Sequence, residues 1–150
     1  MNIATWKSTG LALVSALGLV SGLHAAAGDS LYDRLGGQPA VQAVTSGLVD
    51  RILVDTRVNK WFAHAAGSAQ NTIAYKTKLY EFVCQATGGP CTYTGRDMVA
   101  VHKGRAVTSD AFDAVVEDLV GVLDELKVPA QEKSQLLAIL GPLKASIVQH

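Results

Sequence analysis

Apolar side chains recur at every third or fourth position through most of the chain after residue 30, which is the spacing of one helix face. No stretch alternates apolar and polar residues for long enough to predict a strand, and glycine and proline separate the periodic stretches. The pattern therefore predicts an all-α fold. Helical segments are predicted at 30–35, 39–54, 58–62, 70–87, 97–103, 109–126 and 129–147, with loops at 63–68 and 91–95.

The last two predicted helices have the clearest amphipathic pattern. Apolar residues of the first step by threes and fours, and Thr108 with Ser109 offers an N-cap at its start. The final helix opens at Pro129, and we expect Pro142 to kink it because proline lacks a backbone N–H. Since the link between these helices is short, they are expected to pack antiparallel, with the middle helices covering one side.

The first 27 residues have the organisation of a secretory signal peptide. Lys7 supplies a positive charge, residues 11–23 form an apolar run, and the alanines at 25–27 offer a cleavage site. The run is shorter than the roughly 20 apolar residues of a membrane span, so a retained anchor is the less favoured alternative. We expect residues 1–27 to be removed and residues 28–150 to form an exported domain, periplasmic if the source is a Gram-negative bacterium.

Length and charge narrow the class of protein further. Removing the signal would leave 150 − 27 = 123 residues, enough for one domain and too few for two. The formal net charge is +0, and the loss of Lys7 makes it −1, with no basic run in the remainder. Nucleic acid and anionic membranes are therefore not expected as partners, because both attract clustered Lys and Arg. No stable membrane span is expected after signal removal.

Two cysteines, Cys84 and Cys91, lie on either side of a Gly-Gly-Pro turn. An exported compartment permits disulfides, and the turn would let the chain fold back on itself, but spacing alone leaves the pairing open. The chain has no C-x-x-C or C-x-x-C-H motif, so the usual patterns of thiol redox enzymes and of c-type haem attachment are missing.

The histidines give the first candidate for metal chemistry. Of four, His24 belongs to the predicted signal and His150 ends the chain, which leaves His64 and His102 for the fold. His102 lies on a short predicted helix, with Met98 four residues earlier on the same face. Considered alone, a histidine in this pattern is more often an ordinary core or surface residue than a ligand.

Several short motifs occur in order along nearly the whole mature chain. They are YDRLGG at 32–37, WF at 61–62, GGP at 88–90 followed by YTG at 93–95, and Met98 followed by VHKGR at 101–105. Each motif is weakly specific by itself, whereas their combination in this order and at this spacing is strongly so. Together they resemble the group I truncated haemoglobins.

The resemblance implies a truncated globin-like, two-over-two helical sandwich that holds haem b and binds a diatomic gas. It implies that the neutral imidazole of His102 is the proximal iron ligand and that Arg105 faces a haem propionate. An ordinary surface arginine is the alternative for Arg105. The resemblance further implies that Phe62 packs on the porphyrin face and that Tyr93 and Met98 line the haem pocket, and Val107 is a further candidate for the pocket.

The chain departs from the family pattern on the distal side. Many group I members have a tyrosine midway along the second helix and a glutamine on the distal helix, which together donate hydrogen bonds to bound dioxygen. The aligned residues here are Val49 and Leu79. A histidine that tethers a haem vinyl group in certain relatives is replaced by Gln131, so non-covalent haem is expected.

Other side chains are candidates for the distal role. Tyr75, Lys78, Leu79 and Phe82 share one helix face that is expected to look at the haem. Tyr75 either donates its hydroxyl to a bound ligand or is an interfacial tyrosine with its tip in water. Lys78 either ligates the iron itself or is solvated or paired with a propionate, which we favour. His64 is a further candidate sixth ligand, although an exposed loop histidine is favoured.

Four functions follow as hypotheses. The leading one is an exported haem protein that reversibly binds dioxygen, carbon monoxide or nitric oxide. The second is redox catalysis on nitric oxide, nitrite or peroxide, with a reductant protein as partner. The third is electron transfer or sensing through a six-coordinate haem closed by Lys78. The fourth is a helical interaction module without haem.

Overall fold

The computed structural model describes residues 29–148, which form helices and connecting turns with no strand in that range. The predicted signal peptide and its cleavage site lie outside the described residues. The helices are α1 (Leu31–Leu35), α2 (Gly37–Val54), α3 (Ala63–Ala66), α4 (Ala69–Ala86), α5 (Met98–His102), α6 (Ser109–Glu125), α7 (Ala130–Leu140) and α8 (Lys144–Ile147). Two 3₁₀ turns, Asn59–Phe62 and Gly141–Leu143, precede α3 and α8. None of the helices within residues 29–148 has both the length and the apolar character needed to cross a membrane.

Side-chain caps fix where four of these helices begin. The side chains of Ser30, Ser68, Asp97 and Thr108 each accept a hydrogen bond from the backbone N–H three residues later. Such caps satisfy backbone donors that the first turn of a helix leaves free. The predicted cap of α6 at Thr108 is therefore confirmed.

The start of α2 and the segment at 63–68 differ from the sequence prediction. Helix α2 begins at Gly37, before the expected Pro39, because Gly36 adopts a φ of 108° and reverses the chain within one residue. The segment predicted as a loop at 63–68 instead contains α3. Its carbonyls find partners on α4, since the Asn71 amide donates to His64 O at 2.9 Å and the Thr72 hydroxyl to Ala65 O at 2.8 Å.

The break at Pro142 is more complete than a kink. Helix α7 ends at Leu140, the chain makes a 3₁₀ turn, and α8 continues for one turn. Because proline has no N–H to donate, the helical hydrogen-bond ladder cannot continue through this position.

Helix α2 is the centre of the packing. It has the most extensive contacts of any helix, with α4 on one side and α6 on the other, and α6 contacts α7 and α8. These pairs form the two-over-two sandwich that was expected. The sequence prediction gave the central role to the last two helices, whereas the structure gives it to α2, whose Val41, Val44, Leu48 and Ile52 are buried.

The two cysteines are joined by a disulfide. Cys84 and Cys91 have their Cα atoms 5.8 Å apart, and the bond links the last turn of α4 to the loop that leads to α5. The intervening turn requires a glycine at position 89, because a Cβ there would lie 2.7 Å from Cys84 Sγ and equally close to the Tyr32 ring.

Candidate functional site

An apolar cavity of about 250 Å³ opens between α2, α4, α5 and α6. Its walls are mainly aliphatic and aromatic. All ten residues predicted for the haem pocket line it, namely Phe62, Tyr75, Lys78, Leu79, Phe82, Tyr93, Met98, His102, Arg105 and Val107. The structure thus brings these ten together around one space, while their roles toward a haem stay predictions.

The parts of the cavity wall supplied by α2, α6 and the C-terminal helices were not predicted from the sequence. These additional lining residues include Val44, Thr45, Leu48, Ile52, Trp61, Ala111, Phe112, Val115, Leu119, Leu136, Leu140 and Ile147. Their helical periodicity was visible in the sequence, but a face that lines a cavity has the same pattern as one that packs against protein. Val49, the aligned distal position, is fully buried and is not among the lining residues.

His102 has a hydrogen bond that defines its free nitrogen. Asp97 caps α5 by accepting from Ala100 N at 2.9 Å, and this helix carries the ring into the cavity wall. The Nδ1 atom lies 2.8 Å from the carbonyl oxygen of Met98. Because a carbonyl can only accept, Nδ1 carries the proton, which in a neutral imidazole leaves the lone pair on Nε2. This is the arrangement in which a histidine can bind a metal through Nε2.

Arg105 lies at the rim on the loop after α5. Its side chain is exposed, and within residues 29–148 its guanidinium has no carboxylate partner. The backbone of this loop is held by Trp61, whose Nε1 donates to Arg105 O at 2.9 Å. A cationic group is therefore present at the open edge of an apolar cavity.

Lys78 contacts an acidic partner. Its ammonium lies 2.8 Å from Glu81 Oε2 and also contacts the Thr94 hydroxyl, and 46% of its side chain is exposed. The hydrogen bond from Lys78 lowers the pKa of Glu81 below its ordinary value. The lysine is thus paired with Glu81 and partly solvated, while its role toward a haem stays a prediction.

The remaining polar side chains of the cavity are hydroxyls. Thr45 donates to Val41 O at 3.0 Å within its own helix, and Tyr93 donates to Arg96 O at 3.0 Å. The ring of Tyr75 packs edge-on against Phe62, with centroids 5.7 Å apart. Burial, followed by the proximity of Tyr93, raises the pKa of Tyr75 to about 12, so its phenol stays protonated at neutral pH.

His64 occupies a different place from His102. It is exposed on α3 and lines a second cavity next to the main one, together with Asn71 and the rim residues Lys78 and Arg105. It is not among the residues that line the main cavity. The structure therefore separates the two histidines, as expected of an exposed His64.

The residues present fit a haem. The walls offer apolar area for a flat macrocycle, and His102 offers one imidazole nitrogen with a free lone pair. Arg105 at the rim suits the carboxylate of a propionate, and the charged lining residues among 29–148 are Arg105 and Lys78, both of them partly or fully exposed.

Comparison with known proteins gives the same family as the motifs. A family model described as bacterial-like globin matches residues 30–149. The chain is similar to the group 1 truncated hemoglobin GlbN of Mycolicibacterium paratuberculosis, with 36% identity over 118 residues that make up 79% of this chain and 83% of that protein.

Solved structures show the same architecture. The 2/2 hemoglobin of Synechococcus sp. PCC 7002, described with covalently attached heme, superposes with a TM-score of 0.67 at 32% identity, covering 75% of this chain and 91% of that one. The truncated hemoglobin of Tetrahymena pyriformis superposes with a TM-score of 0.72 at 24% identity, covering 81% and 100%, which supports the fold alone.

Proposed function

Since this chain belongs to the bacterial-like globin family, as a group I truncated haemoglobin with haem b as its cofactor, we propose that His102 holds the haem iron and leaves its other face open to a diatomic gas. The haem supplies the iron that binds the gas. The protein supplies the axial nitrogen, the apolar walls and the groups that discriminate between gases.

The observation that carries the proposal is the hydrogen bond from His102 Nδ1 to Met98 O at 2.8 Å. It fixes the tautomer and the ring orientation and increases the basicity of Nε2, as backbone carbonyls do for other metal-binding histidines. His64 lies outside the main cavity, which leaves His102 as the histidine lining it among the described residues.

Apolar contacts and one rim charge complete the proposed haem site. Phe62, Met98 and Val107 contribute apolar surface to its walls, and Arg105 is placed to pair with a propionate. We propose that the haem is held without a covalent bond, because Gln131 stands where certain relatives have a tethering histidine.

The paired state of Lys78 supports an open gas site. Ligation by lysine requires the neutral amine, and breaking the contact with Glu81 would be an added cost. Reversible binding of dioxygen, carbon monoxide or nitric oxide is therefore favoured over a haem closed by Lys78. No observation in the site favours the redox-enzyme hypothesis.

We also propose that residues 1–27 direct export and that the mature protein begins at Gly28. The n-region charge, apolar run and small-residue site support this, as does a family match that begins at residue 30. Sequencing the N-terminus of the secreted protein tests it. An N-terminus at Met1 in the soluble fraction would contradict it.

The ligand assignment is tested by removing each histidine in turn. His102→Ala is expected to lose most of its Soret absorbance after purification with excess haem, because the axial bond is gone. His64→Ala is the matched control, since it removes the same ring from the same domain, and its spectrum is expected to equal wild type. Equal haem content in both variants would contradict the role of His102.

A further inference from the structure

The cavity contains few groups able to donate a hydrogen bond to a bound gas, and most of them are already engaged. Tyr93 donates to Arg96 O, Thr45 to Val41 O, and Trp61 to Arg105 O. Lys78 is paired with Glu81, and the exposed guanidinium of Arg105 is assigned to a propionate at the rim. A donor that already has a good acceptor gains little by turning to another.

Tyr75 is different from these groups. Among residues 29–148 its hydroxyl has no hydrogen-bond partner, although the ring is packed against Phe62 and lines the cavity. It projects from α4, whereas His102 and Arg105 belong to α5 and the loop after it. Tyr75 therefore lines the cavity from a different helix than the proposed iron ligand. Its hydroxyl is free to donate, and its ring packs against Phe62.

The chemistry of the ligands makes this donor selective. Bound dioxygen carries negative charge on its outer atom and accepts a hydrogen bond strongly, whereas bound carbon monoxide is nearly neutral and accepts weakly. Burial keeps the phenol of Tyr75 protonated through the neutral range, since its pKa is raised to about 12. The same hydroxyl therefore favours one gas over the other.

We propose that the Tyr75 hydroxyl donates the hydrogen bond that stabilises bound dioxygen, and that it thereby sets the preference for dioxygen over carbon monoxide. This inference rests on the proposed function, in which the gas binds on haem held by His102. It assigns the distal role to a tyrosine of α4, in a chain whose aligned family positions are Val49 and Leu79.

Tyr75→Phe removes the hydroxyl and keeps the ring. In the haem-loaded ferrous protein, stopped-flow measurement is expected to show dioxygen leaving about tenfold faster or more, because a charge-assisted hydrogen bond is lost. Carbon monoxide dissociation is expected to change by no more than about twofold, since that ligand accepts only weakly. The C–O stretch of the carbon monoxide complex is expected to move to higher wavenumber.

Tyr80→Phe is the matched control, because its hydroxyl belongs to the same helix α4 but lies outside the cavity lining, where it pairs with the Tyr32 hydroxyl at 3.2 Å. Its dioxygen dissociation rate and C–O stretch are expected to equal wild type. The melting temperature of haem-free Tyr75→Phe is also expected to equal wild type, because no protein hydrogen bond is removed.

An unchanged C–O stretch and dioxygen rate in Tyr75→Phe would overturn the inference while leaving the proposed function intact. Equal acceleration in Tyr75→Phe and Tyr80→Phe would also overturn it, since the effect would then be a general loosening of the fold. Faster dioxygen release only in Lys78→Ala would transfer the role to the lysine. A protein that takes up no haem would overturn the proposed function and this inference together.

Discussion

His102 and His64 show that residue type alone does not define a ligand. Both are histidines of the same domain, yet only His102 has Nδ1 bonded to a backbone carbonyl and a ring in the main cavity wall. His64 is exposed and lines the adjoining cavity. The chemical difference comes from the backbone around each ring, which the capped helix α5 supplies for His102.

Lys78 gives a prediction at this scale. Lys78→Ala is expected to leave the ferric and ferrous absorbance spectra of the haem protein unchanged, because the lysine is paired with Glu81 and not required by the iron. Its contribution to folding should be small, within about 1 kcal/mol, as for other partly exposed ion pairs. Lys76→Ala, which removes the pair with Asp50 on α2, serves as control. A low-spin spectrum that becomes high-spin only in Lys78→Ala would contradict an open site.

The sequence identified the candidate site residues well where the family motifs contain them. Phe62, Tyr93, Met98, His102 and Arg105 belong to the motifs, whereas the four predicted residues of α4 follow from the spacing of one helix face, and the structure brings both sets to one cavity. The sequence could not identify the free hydroxyl of Tyr75 or the paired ammonium of Lys78. Those states depend on partners such as Thr94 and Glu81, whose distances are set only by the folded chain.

At the scale of elements, the start of α6 was predictable from the sequence, whereas the short helix α3 was not. A cap such as Thr108 acts on a backbone N–H only three residues away, so its effect is visible in the local sequence. The single turn α3 is held by hydrogen bonds from Asn71 and Thr72 of the next helix. Because an isolated helix of this length is unstable in water, local sequence could not predict it.

The disulfide between α4 and the following loop is expected to stabilise the fold. Replacing both Cys84 and Cys91 by alanine should lower the free energy of unfolding by about 2–3 kcal/mol, the loop-entropy value for a closed loop of this length. Urea unfolding of the oxidised proteins measures the difference. Reduced wild type should approach the double variant, which separates the bond from side-chain packing. Equal midpoints for oxidised wild type and the double variant would contradict the prediction.

The junction of α2 and α6 contains a carboxyl whose ionised form is less stable in the folded chain than in the unfolded chain. Asp118 is 9% exposed, and its Oδ2 has no hydrogen-bond partner within residues 29–148. Burial, followed by the negative charge of Asp55, raises the pKa of Asp118 above its ordinary value. A raised carboxyl pKa means that the protonated form is favoured on folding, so the ionised form weakens the fold at neutral pH.

Asp118→Asn is therefore expected to raise the free energy of unfolding at pH 7 by about 1 kcal/mol. The gain should shrink toward zero as the pH falls below about 4, where the carboxyl is protonated in both folded and unfolded chains. Unfolding curves across this range measure it. Glu117→Gln, at the neighbouring exposed position, removes a pair with Arg57 and should produce no gain. A loss of stability in Asp118→Asn at neutral pH would refute the argument.

For the whole molecule, the ordered motifs were enough to predict the two-over-two sandwich, whereas the centre of the packing was not predicted. The sequence emphasised the last two helices because their apolar periodicity is strongest. In the structure α2 packs against both α4 and α6, and its weaker pattern results from burial on more than one side. Apolar faces of α2 and α6 also surround the cavity, where a haem would complete the core.

Haem titration of the purified mature protein, followed by Soret absorbance, tests the central claim most directly. The Soret absorbance is expected to saturate at one haem per chain, and the spectrum is expected to shift when the reduced protein is exposed to carbon monoxide. Protein that stays colourless after reconstitution, or absorbance that rises without saturating as for haem free in solution, would contradict it.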